Sequence, residues 1–208
     1  MSFTSAQAQS DAKSDALLAA AAAGRAEEVT QLVRSGAPLE ARDAQGRSAL
    51  LRAVAENHVG VAKTLLEAGA SPNTQAANRD TPWLLAGALG RAEIIAAMLP
   101  HRPDLSIRNR FGGNALIPAC ERGHVEAVQV LLRSGIDLDH VNDLGWTCLL
   151  EIVILGDGGP RHQQVAKLVL DAGADPNLAD RNGVTPLAHA RQRGQQAVAR
   201  LIEQAGGR

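Results

Sequence analysis

Histidine and cysteine are the residue types in this chain whose chemistry could form a metal or catalytic site. The sequence holds six histidines and two cysteines, Cys120 and Cys148. His58, His124 and His162 occur at one position of a repeated sequence, which would place them about 10 Å apart along a stack of helices. A zinc ion needs nitrogen ligands at about 2.1 Å. We therefore predict no metal centre and no cofactor.

The cysteines and the glycine-rich segment at 156–160 also lack the context that catalysis needs. Cys120 and Cys148 form no Cys-x-x-Cys pair, and we expect free thiols that pack as small side chains at different heights on neighbouring helices. The segment GDGGP has neither the preceding strand nor the Lys-Ser/Thr of a phosphate-binding loop. We find no acid, base and nucleophile at useful spacing and predict that the chain is not an enzyme.

Composition and charge limit the classes of protein and partner. The 208 residues include 38 Ala and 26 Leu but only four aromatic residues and no Tyr, which favours thin, closely packed helical layers over a β-sandwich or barrel. The chain carries 21 Lys and Arg against 22 Asp and Glu, so no net positive charge attracts nucleic acid or anionic lipid. Uncharged stretches of about ten residues are too short to span a bilayer.

The low number of cysteines and the N-terminal sequence indicate the cellular compartment. Two cysteines fit a reducing compartment, and residues 1–16 lack the basic start and apolar core of an export signal. We expect a cytoplasmic protein, with an exported mature chain as the alternative.

Glycine recurs at a fixed spacing along the chain. After the phrases RSGAPLEA, EAGASPNT, RSGIDLDH and DAGADPNL, the repeat glycines are 33 residues or a multiple apart, with one step of 38. A second series of turn positions shows the same spacing. We predict a disordered lead-in at 1–9 and a repeat domain at 10–208, with units at about 10–42, 43–75, 76–108, 109–141, 142–179 and 180–208.

Each unit has the signals of a turn and two short helices. A glycine-containing turn leads to Thr, Ser or Asn, which can cap a helix, and in two units Pro follows at the first helical position. A second amphipathic pattern follows and ends at glycine. This 33-residue unit resembles the ankyrin repeat, most clearly in GVTPLAHARQRG (183–194), DTPWLLAGALGRAEIIAAML (80–99) and RGHVEAVQVLLRSGID (122–137). The whole sequence is similar to small stand-alone bacterial ankyrin-repeat proteins.

The resemblance implies a fold and a mode of action. We expect an all-α ankyrin-repeat solenoid of about six helix-turn-helix units with β-turn tips and a five-residue insertion in the fifth unit. The recurring histidines would brace turns by hydrogen bonds. The family's concave face, built from turn tips and first helices, would bind a partner protein of unknown identity. The chain would be a monomeric, non-catalytic adaptor or regulator that binds neither nucleic acid nor membrane.

Aromatic, leucine and arginine side chains concentrate at the turn tips of the fourth to sixth units, and such side chains are typical of binding hot spots. Trp146 and Phe111 could instead cover the core, whereas Trp83 occupies a core position of its first helix. An alternative function is a small-molecule or nucleotide-responsive protein that binds its ligand at the widened turn, 156–162. The predicted partner-binding residues are Arg110, Phe111, Arg122, Leu144, Trp146, Leu155, Arg181 and Asn182.

Overall fold

The computed structural model describes residues 2–208, with side chains from residue 7 onward, and this part of the chain is all-α with no β-strand. The predicted fold class is confirmed. Two of the helices run on into 3₁₀ turns, Leu99–His101 and Leu132–Ser134. The α-helices are α1 (Ser2–Ala22), α2 (Ala26–Arg34), α3 (Ala49–Ala55), α4 (Val59–Glu67), α5 (Pro82–Ala88), α6 (Ala92–Met98), α7 (Leu116–Glu121), α8 (Val125–Leu131), α9 (Cys148–Ile154), α10 (Pro160–Asp171), α11 (Pro186–Gln192) and α12 (Gln196–Gln204).

The chain divides into two compact units. The first comprises the residues up to 86 together with 93–104. The second comprises 87–92 and 105–208. All eight predicted partner-binding residues lie in the second unit, which contains α7–α12.

Short first helices begin at the predicted capping residues. The side-chain oxygens of Ser48, Thr147 and Thr185 each accept a hydrogen bond from the backbone N–H three residues later, at 3.2–3.3 Å. These bonds satisfy amides that the first turn of a helix leaves free. Pro186 occupies the first helical position, where its missing N–H costs nothing.

Apolar side chains between the paired helices form the core. Trp83 is 1% exposed, which confirms its predicted core position. In the second unit, Leu116 on α7, Leu131 on α8 and Leu150 on α9 are fully buried. Burying such side chains contributes about 1.5–3 kcal/mol each.

Two arginines replace glycine at turns of the first unit without disturbing them. Arg79 and Arg102 have φ of 67° and 52°, the left-handed backbone conformation that glycine adopts at equivalent turns. A side chain makes this conformation costly, on the order of 1 kcal/mol. The turn geometry is therefore kept although the residue preferred for it is absent.

The N-terminal residues differ from the sequence-based expectation. Residues 2–9 were predicted to form a disordered lead-in, but they belong to the 21-residue helix α1, and Met1 lies outside the described residues. Alanine, the residue with the highest intrinsic helix propensity, concentrates in the C-terminal half of α1, at residues 12–22. Across residues 2–208, no helix combines the length and apolar character needed to cross a membrane.

The five-residue insertion of the fifth unit is divided between a loop and a helix. Three residues separate α3 from α4 and α11 from α12, whereas five residues, 155–159, separate α9 from α10. α10 has 12 residues, while α4 and α12 have nine each. Two inserted residues therefore lengthen the turn and three extend the helix.

Cys120 and Cys148 form a disulfide, which corrects the prediction of two free thiols. The bond joins α7 to the first residue of α9, and the two Cα atoms are 5.6 Å apart. The prediction placed the cysteines at different heights, but a six-residue helix is only about 9 Å long. A difference of one helical turn is within the reach of the two side chains.

Candidate partner-binding surface

Asparagine side chains hold the turns that present Phe111 and Leu144. The side-chain oxygen of Asn109 accepts hydrogen bonds from the backbone N–H groups of Phe111 and Gly113, both at 2.9 Å. Asn142 does the same for Leu144 and Trp146, at 2.9 and 3.0 Å. Asx turns of this kind fix the backbone of a tight turn. The apolar side chains therefore project from ordered turns.

Adjacent turn tips are joined to one another. The backbone N–H of Asp143 donates to the carbonyl oxygen of Phe111 at 2.9 Å. A Cβ atom on Gly112 would clash with the Asp143 carboxylate, so the absence of a side chain lets the next turn approach. A side chain joins the next pair of turns: Arg181 Nη2 donates a hydrogen bond to the carbonyl oxygen of Asp143 at 2.6 Å.

The side chains at these tips form an exposed apolar patch bordered by positive charge. Phe111 is 55% exposed and Leu144 is 53% exposed. The Arg110 guanidinium carbon lies 4.6 Å from the centre of the Phe111 ring, a cation–π arrangement. Arg181 is exposed next to Leu144's turn. We call the surface formed by Arg110, Phe111, Leu144 and Arg181 the tip surface.

Trp146 and Asn182 lie next to the tip surface in different environments. Trp146 is half-buried. Asn182 is exposed, and its backbone N–H donates to Asp180 Oδ1 at 2.9 Å. Val141, which is 49% exposed, is not among the predicted residues. The sequence does indicate this residue, because the three preceding units have a polar Arg or Gln at the equivalent position, where this unit has an apolar Val.

Arg122 and Leu155 do not belong to the tip surface. They occupy the C-terminal ends of the first helices α7 and α9, whereas Phe111 and Leu144 precede the N-terminal ends. Leu155 is 53% exposed, and Arg122 Nη1 donates to the Ala88 carbonyl oxygen at 2.6 Å. The structure therefore separates the eight predicted residues into a tip group of six and a helix-end pair.

A carboxyl group is buried on α9 behind the tip surface. Glu151 is only 4% exposed, and its Oε1 accepts a hydrogen bond from Asn142 Nδ2 at 2.7 Å. Burial, together with the nearby Glu121 carboxylate, raises the pKa of Glu151 to about 7. The same asparagine thus holds Leu144's turn and anchors it to α9.

Recurring histidines brace the preceding repeat, as the resemblance predicted. The Nε2 atom of His58 lies 3.1 Å from the Ala22 carbonyl, and that of His162 lies 2.9 Å from the Glu121 carbonyl. His124 bonds to the backbone of Ala88, while burial lowers the pKa of its imidazole. These rings are engaged in holding neighbouring repeats together.

The widened turn borders an open cavity of about 450 Å³. Asp157 lies on its rim and accepts hydrogen bonds from Gly159 N at 2.8 Å and His162 Nδ1 at 2.7 Å. The Gly159 N–H first, and His162 second, lower the pKa of the Asp157 carboxyl. The cavity is lined by Arg122, Asp157, Gly159, Pro160, Arg161 and His162.

The repeat architecture agrees with comparisons to known proteins. A family model for ankyrin repeats matches residues 3–76 and 83–180, which is most of the chain. The chain belongs to the ankyrin-repeat family. It is 37% identical over 190 residues to the ankyrin repeat protein YahD of Escherichia coli K12, covering 91% of this chain and 94% of YahD.

Solved ankyrin-repeat structures share the fold. A domain from Acinetobacter baumannii AYE is 45% identical, has a TM-score of 0.88, and covers 92% of this chain and 98% of its own. The ankyrin repeat domain of Bcl-3 is 28% identical, with a TM-score of 0.82 and coverage of 93% and 86%. Ankyrin repeats are in general protein–protein interaction modules, and stacked repeats characteristically offer extended binding surfaces.

Proposed function

We propose that this ankyrin-repeat protein is an adaptor or regulator that binds a partner protein through the tip surface. The observation that carries the proposal is the exposure of Phe111 and Leu144 on two adjacent, hydrogen-bonded turns. Their backbones are already fixed by Asn109 and Asn142, so binding would order little additional chain. Aromatic and apolar anchors next to arginine are typical of interface hot spots.

Affinity capture from the native cell lysate tests this proposal. Wild-type protein is compared with the double variant Phe111→Ala/Leu144→Ala, and retained proteins are identified by mass spectrometry. We expect a partner that the wild type retains and the double variant loses, with at least about a tenfold weaker affinity. Both side chains are more than half exposed, so the variant should melt at the wild-type temperature.

Leu155→Ala is the matched control for Leu144→Ala. Both leucines are 53% exposed, but they flank opposite ends of α9. Loss of the partner with Leu144→Ala alone would assign the contact to the tip surface, and loss with both would extend it along α9. Retention by Phe111→Ala/Leu144→Ala equal to that of wild type would contradict the proposal.

We also propose that this role is non-catalytic and that the free chain is a monomer, binding neither nucleic acid nor membrane. The side chains most suited to catalysis take part in structural interactions. His58 and His162 hydrogen-bond to backbone carbonyl groups. Glu151 accepts a hydrogen bond from Asn142, and the two cysteines form a disulfide. The near balance of charges supports the choice of a protein partner. Light scattering of the purified chain measures its oligomeric state.

The disulfide bears on the proposed compartment. Bonds of this kind persist mainly in oxidising compartments and are rare where glutathione keeps thiols reduced. Cys120–Cys148 therefore favours the exported form over the cytoplasmic one. Alkylation of the thiols in intact cells decides between the two: an unmodified disulfide supports export, and full labelling supports a cytoplasmic chain.

A further inference from the structure

The cavity at the widened turn carries positive charge from two neighbouring repeats. Arg122 ends α7, and Arg161 lies in the first turn of α10. Both side chains line the cavity and are exposed. Their charges, with that of Arg91, help to lower the pKa of the His124 imidazole, after the larger effect of burial. The guanidinium groups of Arg122 and Arg161 therefore both contribute positive charge to this cavity.

The carboxylate on the rim of the cavity forms no ion pair with Arg122 or Arg161 among the described residues. Asp157 directs Oδ1 to the Gly159 N–H and the His162 ring, 2.8 and 2.7 Å away. The Arg161 side chain forms no hydrogen bond or ion pair with the described residues. Arg122 uses one of its five N–H donors on the Ala88 carbonyl. Most of the donors of both arginines remain available to a ligand.

We propose that this cavity binds a small phosphorylated molecule, with Arg122 and Arg161 holding the phosphoryl oxygens. The planar fork of an arginine matches two oxygens of a phosphate, and two arginines match its double negative charge. A volume of about 450 Å³ lies within the range of small-molecule sites, about 300–1,000 Å³. The insertion is part of the site, because it places Arg161 on the extended start of α10.

The ligand site is distinct from the tip surface. Arg122 and the widened turn lie at the C-terminal ends of α7 and α9, and the tip surface lies before their N-terminal ends. The inference therefore goes beyond partner binding, and each can fail without the other.

Calorimetric titration with inorganic pyrophosphate at constant ionic strength tests the proposal. We expect saturable binding at one site per chain and at least about tenfold weaker affinity in Arg122→Gln/Arg161→Gln. Arg133→Gln/Arg200→Gln is the matched control, because it removes two exposed positive charges from elsewhere in the second unit. It should bind as wild type does. Arg161→Gln alone tests the site without removing an intramolecular hydrogen bond, and it should also weaken binding.

Several outcomes would overturn this assignment. They are the absence of saturable binding below about 10 mM, unchanged affinity in Arg161→Gln, and equal loss in both double variants, which would indicate a general charge effect. Succinate, whose two negative charges match those of inorganic hydrogen phosphate, should bind more weakly than inorganic phosphate. Equal affinity for succinate would contradict the preference for phosphate.

Discussion

At the scale of single residues, one Asp or Asn position in three of the turns fixes the backbone and ties it to the following helix. An Asp or Asn accepts hydrogen bonds from the N–H groups two and four residues later, and its side chain also contacts a residue nine positions further on. The residue types that make this second contact differ from turn to turn, but the spacing of nine residues is the same. The pairs are Asp43–Arg52, Asn142–Glu151 and Asp180–His189.

The Asn142–Glu151 pair predicts how stability depends on pH. Glu151 has a pKa of about 7 in the folded chain against its ordinary value of 4.5, so the folded state holds its proton more tightly. Glu151's contribution to the free energy of unfolding is therefore full below about pH 4.5 and is lost as pH rises through about 7. The total change is on the order of 3 kcal/mol. Urea unfolding at several pH values measures it.

Glu151→Gln is the control for this titration. Glutamine keeps an oxygen that accepts from Asn142 Nδ2, but it cannot ionise. Relative to wild type, the variant should be more stable at pH 8 and nearly equal at pH 4.5. If the two stability profiles run parallel between these values, Glu151 does not have the raised pKa that its burial implies.

At the scale of elements, the disulfide closes a loop that contains α8. Cys120 and Cys148 are 28 residues apart, and both are buried. Closing a loop of this length restricts the unfolded chain and is worth about 2–4 kcal/mol. We predict that Cys120→Ala/Cys148→Ala lowers the free energy of unfolding by that amount and melts several degrees earlier.

Treatment with a reductant distinguishes the stability contributed by the disulfide bond from that contributed by the packing of the two cysteine side chains. Dithiothreitol should destabilise the wild type under unfolding conditions and leave the double alanine variant unchanged. An unchanged wild-type transition in reductant would show that the bond does not contribute to stability.

Local signals in the sequence predict the elements well, and contacts between elements less well. Thr147 and Thr185 marked the starts of α9 and α11 because capping depends only on neighbouring residues. The disulfide was missed because it depends on the stagger of two helices. Spacing showed five inserted residues, but it could not show that three of them extend α10.

At the scale of the whole molecule, the exposed apolar residues decide what the second unit can do. The repeating turn glycines and Asx residues stabilise the turns of the fold, so their presence says little about a partner. Phe111 and Leu144 are not required by it, because each is more than half exposed. Large side chains kept in water without a structural need are the physical basis for proposing a binding surface here.

Hydrogen–deuterium exchange, with and without the captured partner, tests this central claim most directly. Peptides covering residues 110–113 and 143–147 should exchange more slowly in the complex, because the partner would cover the tips. Peptides from α8, which lies outside the tip surface, should exchange at the same rate in both states. Unchanged exchange at both tips, with protection elsewhere in the chain, would contradict the assignment of the tip surface as the partner-binding site.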